Sequence, residues 1–170
     1  DRTSAPLWPK GAGDWSPWLL VDGWQDGEVY RPETQFQENG VMIYAYDGPD
    51  HVVLGGSAGN DTLKGGRGMD TLWGDGGNDI LDGGDEADKV HGGDGDDIIT
   101  DHGTPAGAAD FLFGDEGNDV ISNGAGNDIV FGGGGQDFFI VGPDFTEVFA
   151  GRGNDFILGG NGSDVLLGNE

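Results

Sequence analysis

Eleven aspartates share one nine-residue grid, and no other residues in this chain point as directly to chemistry. Asp61, Asp70, Asp79, Asp88 and Asp97 stand nine apart. After a four-residue slip the series resumes with Asp110, Asp119, Asp128 and Asp137, misses at Thr146, and continues with Asp155 and Asp164. Each aspartate closes a turn-forming stretch and precedes a short strand, as in Gly65-Gly66-Arg67-Gly68-Met69-Asp70-Thr71-Leu72-Trp73. A period this strict marks a stacked repeat. Stacking sets the carboxylates in columns, where they repel one another unless a cation lies between them. The chemistry implied is therefore cation binding by oxygen.

Competing chemistry is poorly supported. Paired carboxylates can hydrolyse glycosides, but among eleven equivalent acids no pair is privileged. His51, His91 and His102 are scattered and read as surface residues, His91 at an outward strand position. The glycine-rich turns lack the lysine and following helix of a phosphate-binding loop. The expectation is a chain that is not itself an enzyme.

The elements that must position the aspartates follow from the repeat. Twelve units begin at Gly56, Gly65, Gly74, Gly83, Gly92, Pro105, Gly114, Asn123, Gly132, Val141, Ala150 and Gly159, with Asp101 to Thr104 interrupting. Position eight is apolar in every unit, from Leu63, Leu72 and Leu81 to Val148, Ile157 and Leu166. β-Branched and aromatic neighbours suit a short strand, and the glycine, asparagine and aspartate before it suit a tight turn. Alternation along a strand puts position eight inward and positions seven and nine outward. Two units, 18 residues, then close one coil, and successive coils, about 4.8 Å apart, stack into two parallel sheets.

On this reading Asp61 neighbours Asp79, Asp79 neighbours Asp97, and Asp70 neighbours Asp88. Carboxylates above and below, with turn carbonyls, form an all-oxygen site, which favours calcium over zinc or magnesium. Burying one apolar side chain per unit falls far short of the cost of ordering so many turn residues. The fold is therefore expected to form only with its cation. Thr146 removes a carboxylate from the pairs with Asp128 and Asp164, so weak or absent calcium is expected at those two positions.

Composition narrows the partners. The 170 residues carry 7 basic and 32 acidic side chains, a net charge of -25, which disfavours nucleic acid and anionic membranes. Cysteine is absent, so disulfide and thiolate sites are excluded. No run approaches the about 20 apolar residues of a membrane helix. No signal peptide is visible and the first residue is not Met, which reads as a piece of a longer protein. Residues 1–50 hold Trp8, Trp15, Trp18 and Trp24 and are expected to form an aromatic N-terminal cap on the array of residues 51–170, or else a flanking segment, the tail of an upstream domain. One or two short strands are expected around Val41, Ile43 and Ala45. Late in the array outward positions turn apolar, as at Phe111, Phe113, Phe131, Phe138, Ile140, Phe156 and Leu158, which suggests a docking face for a second copy or an upstream catalytic domain.

The units resemble the nonapeptide Gly-Gly-x-Gly-x-Asp-x-apolar-x of RTX proteins, the hemolysin-type calcium-binding repeat. The resemblance covers about two-thirds of the chain. It implies an all-β, right-handed parallel β-roll and about seven to nine calcium ions. It also implies a secreted, extracellular protein exported by type I secretion machinery. The eleven grid aspartates would be side-chain ligands. Carbonyls of turn glycines would complete the sites: Gly65, Gly66, Gly68, Gly74, Gly77, Gly83, Gly92, Gly93, Gly95, Gly114, Gly117, Gly132, Gly133 and Gly135. The implied function is a module that folds on calcium outside the cell and supports secretion of a larger protein. The alternative is a module binding carbohydrate or a cell surface, or pairing with itself. The run from His51 through Thr100 is also similar to arrays attached to secreted bacterial haem peroxidases of the animal type, which implies a peroxidase parent. Pro105 to Asp110 lacks two of the glycines, Val141 to Thr146 lacks the aspartate, and Glu86 replaces a position-four glycine.

Overall fold

Strands and turns alternate along the chain with the expected period, and the result is a parallel β-solenoid. The structure is a computed structural model and describes residues 18–22, 28–30, 40, 42–46, 51–102 and 108–168. No helix occurs among them. One sheet takes the odd strands in the order β1 (Trp18–Asp22), β3 (Met42–Tyr46), β5 (Thr62–Arg67), β7 (Ile80–Asp85), β9 (Ile98–Thr100), β11 (Val120–Ser122), β13 (Phe138–Ile140) and β15 (Phe156–Leu158). The other takes the even strands: β2 (Glu28–Tyr30), β4 (Val52–Ser57), β6 (Thr71–Gly76), β8 (Lys89–Asp94), β10 (Phe111–Glu116), β12 (Asp128–Gly134), β14 (Thr146–Arg152) and β16 (Val165–Leu167). All the pairings are parallel. The register runs one coil at a time, Thr62 beside Ile80 and Ile80 beside Ile98.

Several strands are longer than the sequence suggests, up to seven residues in β12 and β14. The strands run on into what the repeat marks as the start of the next turn, as where Gly66 pairs with Gly84 and Arg67 with Asp85. The four-residue insertion leaves the register intact, since β8 pairs with β10 and β9 with β11 across it. β3 falls on the expected Val41–Ala45 segment, and strands before residue 51 continue both sheets, β1 beside β3 and β2 beside β4. Trp8, Trp15 and Trp24 of the expected cap lie outside the described residues.

Position eight faces inward from Leu63 to Val148, and these side chains form one column of core between the sheets. The pattern ends at the last coil. Ile157 is half-buried and Leu166 is 44% exposed, because no described coil covers them. Position nine of the even strands carries a second column, on the outside. Trp73, His91, Phe113, Phe131 and Phe149 stack ring on ring, with centroids 4.0, 4.2, 4.9 and 4.9 Å apart and planes within 9° of parallel. In-register parallel pairing makes this stack possible by setting like positions one strand spacing apart. His91 thus belongs to a packed ladder, with its Nδ1 3.1 Å from Asp115 Oδ2, rather than to a bare surface.

Candidate metal sites

The turns lie along the two edges of the solenoid, and each edge gathers alternate aspartates of the grid. Asp61, Asp79, Asp97, Asp119, Asp137 and Asp155 follow one edge; Asp70, Asp88, Asp110, Asp128, Thr146 and Asp164 follow the other. From Asp61 to Asp137 on the first edge, and from Asp70 to Asp128 on the second, every aspartate is buried. Asp155 and Asp164, in the last coil, are half-buried.

Each carboxylate divides its two oxygens between two tasks. Oδ1 accepts the backbone N–H of the aspartate one coil earlier: Asp61 donates to Asp79 at 2.7 Å, Asp79 to Asp97 at 2.8 Å and Asp97 to Asp119 at 2.9 Å. On the other edge Asp70 donates to Asp88 and Asp88 to Asp110, both at 2.7 Å. These bonds fix the carboxylates in the columns. Oδ2 is left over. In Asp70, Asp79, Asp88, Asp97, Asp110, Asp119 and Asp137 it is buried with no hydrogen-bond donor. A run of buried acceptors without donors is costly in a protein interior.

The space in front of each Oδ2, that of Asp110 excepted, is kept open by the first glycine of the turn. A Cβ on Gly65 would strike Asp70 Oδ2 and the carbonyl oxygen of Gly83 in the next coil. Gly74 stands in the same way before Asp79 and the Gly92 carbonyl, Gly92 before Asp97 and Gly114, and Gly114 before Asp119 and Gly132. Carboxylate and carbonyl oxygens thus converge on a gap that a side chain would close. The carbonyls of Gly66, Gly77, Gly95, Gly117, Gly133 and Gly135 face the following coil at positions two and four. Gly68 and Gly93 hold positive φ at such positions. Where glycine is replaced, Asp75, Glu86 and Asp115 hold the same left-handed backbone, at the cost usual for residues with a Cβ.

Electrostatics agree with the geometry. Burial pushes the carboxyls of Asp70, Asp79, Asp110 and Asp119 up to about 7, and nearby acids add to it: Glu86 for Asp70, Asp101 for Asp110, and column neighbours for Asp79 and Asp119. Asp97 rises to about 6. Asp88 is pushed furthest, to about 9, by burial and then by Asp70, Asp101 and Asp110. Without a cation these groups resist ionisation; a cation among them would reverse that. Hard oxygen donors, unsatisfied and held apart by glycine, fit a calcium-type ion and offer no soft ligand.

In two turns Oδ2 does find a donor, each time from a residue that sequence reasoning passed over. Asn123 occupies the first turn position, and its Nδ2 donates to Asp128 Oδ2 at 2.6 Å and to Thr146 Oγ1 at 3.0 Å. The oxygen left bare elsewhere is satisfied here by an amide. With Thr146 in the column, the Asp128 N–H turns to the carbonyl of Phe145 at 3.1 Å. At the first repeat, Ser57 donates through its N–H and its hydroxyl to Asp61. The signal for Asn123 was in the sequence, as a polar residue where glycine recurs, but its meaning depends on where that position points.

The family model of the RTX calcium-binding nonapeptide repeat matches the chain in four copies, over residues 55–90, 76–100, 106–139 and 146–170, more than half of its length. No curated protein and no solved structure gives a match.

Proposed function

The chain belongs to the RTX calcium-binding nonapeptide repeat family, and from that premise we propose that its roll is a folding switch set by external calcium. The observation that carries this is the row of buried Oδ2 atoms with no donor along both edges. Bound calcium supplies positive charge and accepts several oxygens at flexible geometry. The chain's own part is to present those oxygens: Oδ1 fixes each carboxylate, Oδ2 faces the gap, and glycine keeps the gap free. At submicromolar calcium the columns repel and the chain stays unfolded. At millimolar calcium, sites with Kd of about 10⁻⁴ to 10⁻³ M fill and the roll closes. Such a switch suits a non-enzymatic module of a larger secreted protein, exported unfolded by type I machinery and folded outside the cell.

Far-UV circular dichroism with calcium and with chelator tests the switch. A sheet spectrum is expected only with calcium, and the same spectrum in chelator rejects the reading. Export is tested separately by the yield of protein in the medium with and without a type I apparatus; equal yields reject that part.

A docking role for the odd-strand face has its own support. Ile80, Ile98, Val120, Phe156 and Leu158 lie outward there, between 37% and 58% exposed. Sedimentation in saturating calcium tests self-pairing, and a strict monomer at all concentrations excludes it. The even-strand ladder offers less to a carbohydrate, because its ring faces are already stacked on one another.

A further inference from the structure

The interrupted turn contains an acid outside the nonapeptide pattern. Asp101 directly follows β9, where a regular unit has its first glycine, and its N–H donates to the Ser122 carbonyl at 2.9 Å. It therefore keeps its place on the coil. The column also keeps its continuity across the insertion, since the Asp88 N–H still reaches Asp110 Oδ1.

The neighbouring coils show which way a side chain at this position points. A Cβ on Gly65 or Gly83 would run toward Oδ2 of Asp70 or Asp88, the aspartate of its own turn. Asn123, at the same position, reaches Asp128 Oδ2. Asp101 follows this rule: it, Asp88 and Asp110 each bring an oxygen within 4.8 Å of the others, all three buried to 2% exposure or less. Oδ2 of Asp88 and Oδ2 of Asp110 have no donor. The contrast with Asn123 is chemical. An amide aimed at a buried carboxylate satisfies it, whereas a second carboxylate there adds like charge and calls for a shared proton or a cation.

We infer that Asp101, Asp88 and Asp110 form a three-carboxylate calcium site, the tightest in the roll, with Asp101 a ligand that the repeat does not supply. The inference rests on the calcium reading above and adds a third charge at one site, the variable by which oxygen sites tune affinity.

Calcium titration of the full chain against a competing chelator tests it, using the native sequence, Asp101→Asn and Asp94→Asn. Asp94 is an exposed acid of a neighbouring turn, so its variant removes the same charge without touching the cluster. The native chain and Asp94→Asn are expected to share one step about tenfold tighter than the rest. Asp101→Asn should lose that step while its spectrum in saturating calcium is unchanged. Identical titrations of the two variants overturn the inference. If Asp101→Asn does not fold in calcium, Asp101→Glu decides: recovery of folding and of the tight step supports the site, and failure rejects it. If none of the proteins takes up calcium, the calcium reading itself falls, and this site with it.

Discussion

Replacing Asn123 with glycine should convert an amide-filled turn into a calcium-responsive one. The side chain makes two buried hydrogen bonds, to Asp128 Oδ2 at 2.6 Å and Thr146 Oγ1 at 3.0 Å. Removing it leaves Asp128 Oδ2 buried without a donor, at a cost of about 1–3 kcal/mol. If folding is coupled to about seven to nine ions, that deficit raises the calcium midpoint only about 1.2- to 2.1-fold. The informative change comes at higher calcium. The vacated gap now resembles those at Gly65 and Gly83, and an added site of Kd about 10⁻⁴ M contributes about 2.7 kcal/mol at a hundredfold excess. Urea unfolding at calcium just above the midpoint should therefore show the variant weaker than the native chain. At about 10 mM calcium the difference should close or reverse. A deficit that stays constant across this range would refute the idea that Asn123 takes the place of an ion.

Three further outcomes follow from the same geometry. Gly92→Ala drives a methyl into Asp97 Oδ2 and the Gly114 carbonyl, so it should remove one ion from the calorimetric stoichiometry; Gly76→Ala, with its nearest atom 3.8 Å away, should change stability by no more than about 0.5 kcal/mol. In calcium-free buffer the roll should gain sheet signal as pH falls from about 8 to about 5, because the buried carboxyls, near 7 and for Asp88 near 9 when folded, hold protons that the unfolded chain, near 3.8, has released. That stabilisation is complete below about pH 4 and is lost as pH rises through 7 to 9, so a calcium-free spectrum indifferent to pH would contradict the assignment. His91→Ala breaks two ring stacks and should cost about 1–3 kcal/mol in urea unfolding with saturating calcium, whereas His102→Ala, at an exposed position, should be silent.

The grid of aspartates made the coil legible before any coordinates. Its nine-residue step set the strand alternation, and its doubling set which residues stack, so Asp61 over Asp79 and Thr62 beside Ile80 both follow from counting. Periodicity says nothing of what happens where the period ends, which is why Leu166 is inward by pattern and 44% exposed in the structure. It also treats a departure from glycine as a loss. Asn123 and Asp101 are such departures, and their effect depends on the first turn position aiming at the carboxylate five residues on in one case and nine in the other, a direction set by the folded turn. The ladder escaped for a related reason: Trp73 and His91 differ in polarity from the phenylalanines after them, and only the in-register pairing shows that all five are equivalent.

The hydrogen bonds between aspartates all run the same way. The side chain of a later coil reaches back to the backbone of an earlier one, and the gap of each turn is roofed by a carbonyl of the coil that follows. The solenoid thus has a plus end and a minus end, like a filament. For its carboxylate anchor and the roof over its first position a turn depends on its successor, while at positions two and four it meets the carbonyls of its predecessor. At Gly159, in the last described coil, a Cβ would meet nothing within 4 Å, because no described coil roofs it. A coil already formed thus offers its predecessor the carboxylate anchor and the roof over its first turn position, and offers its successor the carbonyls that face positions two and four.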